Sequence, residues 1–315
     1  MNQKKPLIEN LTGTITNLKL ENATIENTST DKIGALAGSA RNAKVEDITL
    51  NDITVNGRKY VSALIGFVEN VNMANITANN INLRGSDFIG TLTGEINKGN
   101  IEDIELDNIT ISGTNSVASM IGIAKNANIN KVTATNINVT GTNFYVAGLI
   151  GRTYTANVSN VVASGEISMT KTASGGIIGA MRDKSTLENA YGNVTVKRPS
   201  NGDNRAQNGG LVGQFESGKG TIRNSVSVAD VNHDVYKVIA GTNSNDLDDI
   251  KKYLENVYEN TNAAGLSNAN TEGNITSIER NRLNNPDFYT STLKWDSNIW
   301  DFTEVANGGL PKIKK

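Results

Sequence analysis

The chain contains no cysteine, one histidine and four prolines among 315 residues. Without cysteine it cannot form a disulfide framework or a thiolate metal site. A single histidine, His233, excludes an H-E-x-x-H zinc motif and a second histidine ligand for a catalytic zinc. No apolar run approaches the roughly 18 residues that a membrane-spanning helix needs. We therefore expect no cofactor, no metal and no membrane insertion in this chain.

An excess of either charge is also missing. The 30 basic and 32 acidic residues are mixed along the sequence and give a net charge of −2. Without a basic stripe, nucleic acid is a poor candidate partner. The basic start of the chain lacks the apolar region of a secretion signal, so either the protein is cytoplasmic or the chain is cut from a longer exported one. Aromatic residues make up only 5%, whereas asparagine occurs 46 times. This composition favours short straight segments and frequent turns.

A short apolar segment that ends in glycine recurs along the chain. Its closing glycines are spaced 28, 28, 28, 29, 28, 34 and 28 residues apart. They are Gly38, Gly66, Gly94, Gly122, Gly151, Gly179 and Gly213, with a degenerate copy ending at Gly241. We interpret the repeated glycines as tight bends in a repeat architecture.

A second block lies between the glycine segments. Residues 45–55 read V-x-D-I-x-L-x-x-I-x-V, and residues 101–111 repeat the pattern. The apolar offsets 0, 3, 5, 8 and 10 fall all round a helix, whereas steps of two fit a strand and steps of three fit corners. We predict an all-β, right-handed parallel β-solenoid of about eight 28-residue coils, because stacked copies can bury one continuous core. Inward-facing residues should include Leu64, Ile104, Leu149 and Leu211.

An amide or carboxylate precedes the second apolar position of nearly every block. The residues are Asn17, Asp47, Asn75, Asp103, Asn160, Asn189, Asn224 and Asn256, and Lys131 is the exception. Side chains at the same corner of successive coils can bond to one another or to the backbone of the corner. We interpret this column as a structural ladder.

The stretched interval of 34 residues contains a polar loop, residues 197–208. Insertions into a repeat often map to a binding face, although a tolerated surface loop is the alternative. The candidate binding residues are Lys197, Arg198, Asn201, Asp203 and Arg205.

The pattern changes towards the end of the chain. We divide it into residues 1–253, the solenoid repeats, and 254–315, the last coil and a short helical and aromatic cap. Leu247, Ile250, Leu254 and Val257 follow helical spacing, although the last two also match the strand block. Residues 276–290 suggest a helix that Ser277 caps and Pro286 stops, with Leu283 facing inward. Trp295 and Trp300 predict an aromatic plug over the open end of the solenoid.

The sequence carries no recognisable catalytic motif. Some parallel β-helices degrade pectin with carboxylates gathered on one face, but here the outward acids repeat at the corner column. Asp246, Asp248 and Asp249 resemble part of a calcium loop that lacks its glycine and closing glutamate, and we interpret them as acids at a helix start. The lone His233 predicts a surface residue. We expect no enzymatic activity from this chain.

The segments Gly148-Leu149-Ile150-Gly151 and Gly210-Leu211-Val212-Gly213 resemble the GLUG repeat of bacterial surface proteins. Together with the aromatic tail around Trp295 and Trp300, they resemble the region upstream of the catalytic domain in streptococcal-type immunoglobulin A1 proteases and related Zmp-type zinc metalloproteases. That resemblance implies a non-catalytic, Gram-positive virulence module, extracellular or attached to the cell wall. It would act with a zinc-containing catalytic domain of the same polypeptide and position immunoglobulin A1 or another host glycoprotein.

A second class of protein remains open. The chain also fits a monomeric stalk or adhesin module with no protease attached, because adhesins share the glycine motif. The sequence that follows Lys315 in the natural protein would separate the two: a zinc-protease motif supports the first, and more repeats or a wall anchor support the second.

Overall fold

A computed structural model describes residues 2–197, 207–216, 220–232, 235–239, 252–269 and 274–315. Within them the chain winds into a parallel β-solenoid of about eight turns with about 28 residues per turn, as the sequence predicts. The register repeats the period directly, because Val45 pairs with Met73, Met73 with Ile101, and Ile101 with Ile129. Each coil thus hydrogen-bonds to the coils before and after it.

In the described ranges, two parallel sheets and one small antiparallel sheet make up this architecture. The main sheet contains β1 (Asn2–Gln3), β2 (Ile8–Glu26), β3 (Ala37–Asn56), β5 (Ile65–Arg84), β7 (Thr93–Gly113), β9 (Ile121–Gly141), β11 (Ile150–Tyr154), β12 (Asn157–Met169), β14 (Ile178–Arg182), β15 (Thr186–Lys197), β17 (Val212–Phe215), β18 (Thr221–Ser227), β19 (Leu254–Asn260) and β20 (Ile275–Ile278). The second sheet contains β4 (Lys59–Val61), β6 (Asp87–Ile89), β8 (Asn115–Ala118), β10 (Phe144–Ala147), β13 (Thr172–Gly175) and β16 (Asn208–Gly209). The antiparallel pair is β21 (Trp300–Asp301) with β22 (Lys312–Ile313).

The longest strands bend at residues in the left-handed backbone region. In β3 these are Asn42, Asp47 and Asp52, with φ between 47° and 55°. Asparagine and aspartate tolerate this conformation better than other residues with a side chain, which explains why they recur at corners. The amides also bond between coils, as Asn75 Nδ2 donates to Asp47 Oδ1 at 2.6 Å. Lys131 keeps the same backbone conformation and lies 3.5 Å from Asp103 instead.

One continuous apolar core fills the solenoid from Leu11 to Ile275. The inward residues predicted from the sequence are all buried, with Leu64, Leu149 and Leu211 fully so and Ile104 3% exposed. In β3, buried and outward residues alternate within each straight segment, and two outward residues occur together at each corner, which accounts for the steps of two and three in the repeat.

The closing glycines are not the bends that we expected. Gly66 lies within β5, its φ is not positive, and the bend precedes that strand. A Cβ at Gly66 would lie 2.5 Å from the amide nitrogen of Ile33 and 2.7 Å from the carbonyl oxygen of Tyr60. Glycine is therefore required because two backbone segments approach too closely for any side chain.

The helices differ in place from the sequence prediction. Ser277 does not cap a helix, because β20 pairs with β19 and includes it, and its hydroxyl donates to Glu259 at 2.7 Å. Instead Glu279 precedes the short helix α1 (Arg280–Leu283), which is followed by a π-helical turn (Phe288–Thr292) and a 3₁₀ turn (Val305–Asn307). Leu254 and Val257 lie in β19. Leu247, Ile250 and the three acids around them lie outside the described residues.

The C-terminal strap, residues 280–315, packs against the side of the solenoid and not over its end as we expected. One outward column changes character where the strap covers it. It reads Thr49, Thr77, Glu105 and Thr133 in the early coils and Val162, Tyr191, Val226 and Tyr258 in the later ones. These apolar side chains pack with the aromatic residues of the strap in a second core.

Both tryptophans anchor the strap to the corner column. Trp295 and Trp300 stack with their ring centroids 4.1 Å apart. Trp300 Nε1 donates to Asn160 Oδ1 at 3.1 Å, and Trp295 Nε1 donates to the carbonyl oxygen of Asn224 at 2.7 Å. Through these two bonds the strap contacts coils that are not adjacent.

We predict that Leu149→Ala lowers the free energy of unfolding by about 2–5 kcal/mol, because the fully buried side chain would leave a cavity between coils. Urea denaturation of the two proteins measures the difference. Thr110→Ala, at an exposed outward position of β7, is the control and should change stability by less than about 0.5 kcal/mol. Equal losses for both variants would show that the inward register is wrong.

Candidate functional site

One corner of the solenoid carries a lysine or an aromatic side chain in four of six coils, where the other corners carry mainly asparagine or aspartate. Its successive residues, each six positions before a closing glycine, are Lys32, Tyr60, Phe88, Ser116, Tyr145 and Ala173. We call this column the aromatic corner. Its φ values lie between 52° and 65°. The left-handed conformation costs about 1–2 kcal/mol at a residue with an ordinary side chain, so the aromatic rings stand here at an energetic cost.

The parallel pairing of the second sheet aligns these residues. Lys59 pairs with Asp87 and Asp87 with Asn115, so the neighbouring corner residues stack at one-coil intervals. The Tyr60 and Phe88 rings stack with centroids 4.7 Å apart. Phe67, on the adjoining strand, meets the Tyr60 ring edge-on at 5.9 Å. These three rings therefore form one continuous surface over neighbouring coils, and Ser116 follows them in the column.

A charged network extends this surface over the following coils. Glu216 is almost fully buried. Its carboxylate accepts hydrogen bonds from Arg152 Nε and from the Tyr145 hydroxyl, both at 2.8 Å. Arg182 Nε lies 2.5 Å from the same carboxylate. Gln214 Nε2 also donates to Glu216 at 3.2 Å. Two guanidinium groups thus share one carboxylate.

Arg152 connects the network to the rings. Its guanidinium carbon lies 4.1 Å from the centroid of Tyr145 and 5.1 Å from that of Tyr154. Such cation–π contacts fix planar groups relative to one another. One coil earlier, Lys125 Nζ lies 2.6 Å from Glu95 Oε1. We call the aromatic corner, together with Phe67, Glu95, Lys125, Arg152, Tyr154, Arg182 and Glu216, the aromatic–ionic face.

Tyrosine ionisation reflects this environment. Burial, together with the hydrogen bond to Glu216, raises the pKa of Tyr145 to about 12. Burial also raises the pKa of Tyr60, where the charge of Glu95 raises it further and that of Lys125 lowers it. Both hydroxyls are therefore protonated at neutral pH, and the Tyr145 hydroxyl uses its proton in the hydrogen bond to Glu216.

The amide corners have a different role. Beside Asn42 and Asn70, a shallow cleft of about 420 Å³ runs along the rod. The amides that line it mainly hydrogen-bond to one another. Asn70 Nδ2 donates to Asn42 Oδ1 at 2.7 Å, and Asn126 Nδ2 donates to Asn97 Oδ1 at 3.4 Å. The same applies to the predicted ladder at Asp47 and its neighbours. These columns stabilise the stack.

Most of the loop that the sequence predicts to bind a partner, residues 197–208, lies outside the described residues. Lys197 ends β15 and pairs with Glu166 at 2.5 Å, with about half of its side chain exposed. Arg198, Asn201, Asp203 and Arg205 lie outside the described residues, as does His233. The loop therefore remains a prediction.

The sequence did not lead us to predict the aromatic–ionic face, although the position of its aromatic residues in the repeat can be read from the sequence. Tyr60, Phe88 and Tyr145 share a fixed distance of six residues to the closing glycine. The pairing of Arg152 with Glu216 had no such signal, because 64 residues separate the two.

No family model, curated protein or solved structure matches the chain. The resemblance to GLUG repeats and immunoglobulin A1 proteases therefore remains a prediction. Among the residues described, we find no three histidine or acidic side chains grouped to hold a metal ion. Across the same ranges, no helix has the length and apolarity to span a membrane.

We predict that Tyr145→Phe makes the protein less sensitive to alkali. The pKa of Tyr145 in the folded state, about 12, lies above its ordinary value of 10. Its contribution to stability is complete below pH 10 and is lost as the pH rises through 12. Urea denaturation between pH 9 and pH 12 should show a shallower decline for the variant than for the parent. Identical declines would mean that the hydroxyl is not held as described.

Proposed function

We propose that this chain is a non-catalytic recognition module of a secreted or cell-wall-associated bacterial protein, and that it holds a host glycoprotein through the aromatic–ionic face. The observation that carries the proposal is the aromatic corner. Three aromatic residues occupy a backbone conformation that favours asparagine, and strain of this kind tends to persist where a surface has a role.

The face has the properties of a binding surface. Regular coils present near-identical surfaces, so a partner could bind equally well at several positions along the rod. On the aromatic–ionic face, by contrast, the side chains differ from coil to coil. Tyrosine, arginine and phenylalanine provide large contact areas with few rotatable bonds. Because the rings and guanidinium groups brace each other on rigid strands, a partner would not have to order them.

The resemblance gives this module a context. In a protein of the immunoglobulin A1 protease type, a zinc-containing catalytic domain elsewhere in the polypeptide would cut the substrate, and this rod would position it. Immunoglobulin A1 is then the first ligand to test. We further propose that the chain acts as a monomer at the surface of a Gram-positive bacterium.

A stalk without a ligand is the second candidate. It is favoured by the outward amides that bond to one another, such as Asn72, Asn100 and Asn128, since they make a stiff and self-satisfied surface. A spacer needs no recognition face, so the two candidates differ in whether the aromatic–ionic face binds anything.

We predict that the full chain binds immobilised immunoglobulin A1 and that Tyr60→Ala with Phe88→Ser weakens binding at least tenfold, because the stacked rings are lost. Ser116 and Ala173 occupy the same corner in other coils, so the variant should fold. Biolayer interferometry measures the affinities, and Thr110→Ala on another side of the coil is the matched control. Absence of binding by the parent chain would favour the stalk.

We predict that replacing residues 198–206 with a short Gly-Ser link leaves the affinity for immunoglobulin A1 within about threefold of the parent, if the aromatic–ionic face makes the contact. Thermal denaturation should also be nearly unchanged. A loss of binding as large as that of the aromatic double variant would transfer the contact to the loop that the sequence predicted.

A further inference from the structure

Three cations surround one aromatic ring on the aromatic–ionic face. Lys125, Tyr154 and Arg182 lie in register on three successive coils. Lys125 Nζ is 5.8 Å, and the Arg182 guanidinium carbon 5.4 Å, from the centroid of the Tyr154 ring. Arg152 lies 5.1 Å from the same centroid. All three positive charges therefore lie within 5.8 Å of the centroid of the Tyr154 ring.

Two of the carboxylates that oppose these cations lie beneath them. The side chains of Glu95 and Glu216 are 9% and 4% exposed, whereas those of Lys125 and Arg182 are 35% and 33% exposed. The charge of the exposed Asp183 also acts on Arg182, so three carboxylates face the three cations. Because Glu95 and Glu216 lie beneath the cations, an approaching molecule meets the ammonium group of Lys125 and the guanidinium group of Arg182 before those two carboxylates.

The rings beside the cations favour a sugar over a peptide as the source of negative charge. A peptide backbone commonly docks on an unpaired strand edge, but here Tyr154 and its neighbours in β11 already pair with β9 and β14 on both sides. Sugar rings need no strand edge. Their C–H faces stack on partly exposed aromatic rings, and their hydroxyl groups accept hydrogen bonds from donors such as the ammonium group of Lys125.

We infer that Tyr154, Lys125 and Arg182 form a subsite for a carboxylate-bearing sugar, an inference that rests on the proposed function and names its ligand class. The sugar carboxylate lies between the ammonium group of Lys125 and the guanidinium group of Arg182. The sugar ring stacks against Tyr154, and further residues of the glycan extend along the rod towards the Tyr60–Phe88 stack.

Two sources supply this chemistry: a terminal sialic acid of a glycoprotein, and the uronic acids of an acidic polysaccharide. Isothermal titration of the full chain with 3′-sialyllactose and with a galacturonic acid oligosaccharide separates them. We expect at least one of the two to bind, with an affinity that falls as salt increases, and lactose to bind at least tenfold more weakly. Equal binding of lactose, or no binding of either acid sugar at millimolar concentration, overturns the inference.

Variants localise the subsite. Lys125→Gln and Arg182→Gln should each weaken binding of the acid sugar about tenfold. Lys44→Gln is the matched control, because it removes the same charge from an exposed lysine that pairs with Glu46 on another side of the coil. Thermal denaturation reports whether each variant is folded, and if Arg182→Gln is not, the comparison of Lys125→Gln with Lys44→Gln decides. Equal affinities in that comparison contradict the subsite.

Sialidase-treated immunoglobulin A1 distinguishes this inference from the proposed function. If neither acid sugar binds while treated and untreated immunoglobulin A1 bind equally, the subsite is wrong and the proposed function stands. If an acid sugar binds but immunoglobulin A1 does not, the subsite stands and that glycoprotein is not the ligand.

Discussion

Parallel hydrogen bonding between coils in a 28-residue register is the constraint on which the other features of this rod depend. Once Val45 pairs with Met73 and Met73 with Ile101, every side chain lies above the one a single period earlier. An inward position is then buried in every coil and apolar in most of them, and a corner must be in a tolerant backbone conformation in every coil. The sequence repeats every 28 residues because each coil needs the same kinds of residue at its inward positions and corners.

The corners show how the same constraint serves structure and recognition. Where Asn and Asp occupy the left-handed conformation, their side chains bond from coil to coil and the corner stabilises the stack. At the aromatic corner the same backbone geometry instead directs rings along one side. Replacing a tolerant residue with Tyr60 or Phe88 sacrifices local stability, and ring stacking between coils offsets part of that loss.

The sequence predicted the β-solenoid, the number of coils and the inward residues, because these follow from the recurrence of the 28-residue period and from the apolar pattern within each copy. It misassigned the closing glycines. A pattern reveals that glycine recurs but not whether a turn or a close neighbour requires it, and the neighbour of Gly66 is the backbone of Tyr60. It also placed the aromatic strap at the end of the solenoid, although the change from Thr133 to Val162 and Tyr191 marked a covered side.

Taken alone, the sequence determined the repeat, the core and the alternation of inward and outward residues, since these depend on neighbours that are one fixed period apart. Only the tertiary structure decided which outward groups meet. Arg152 and Glu216 belong to coils that are not adjacent, and Trp300 reaches Asn160 across 140 residues. Such contacts depend on side-chain reach and on the path of the strap, neither of which has a period that a sequence can display.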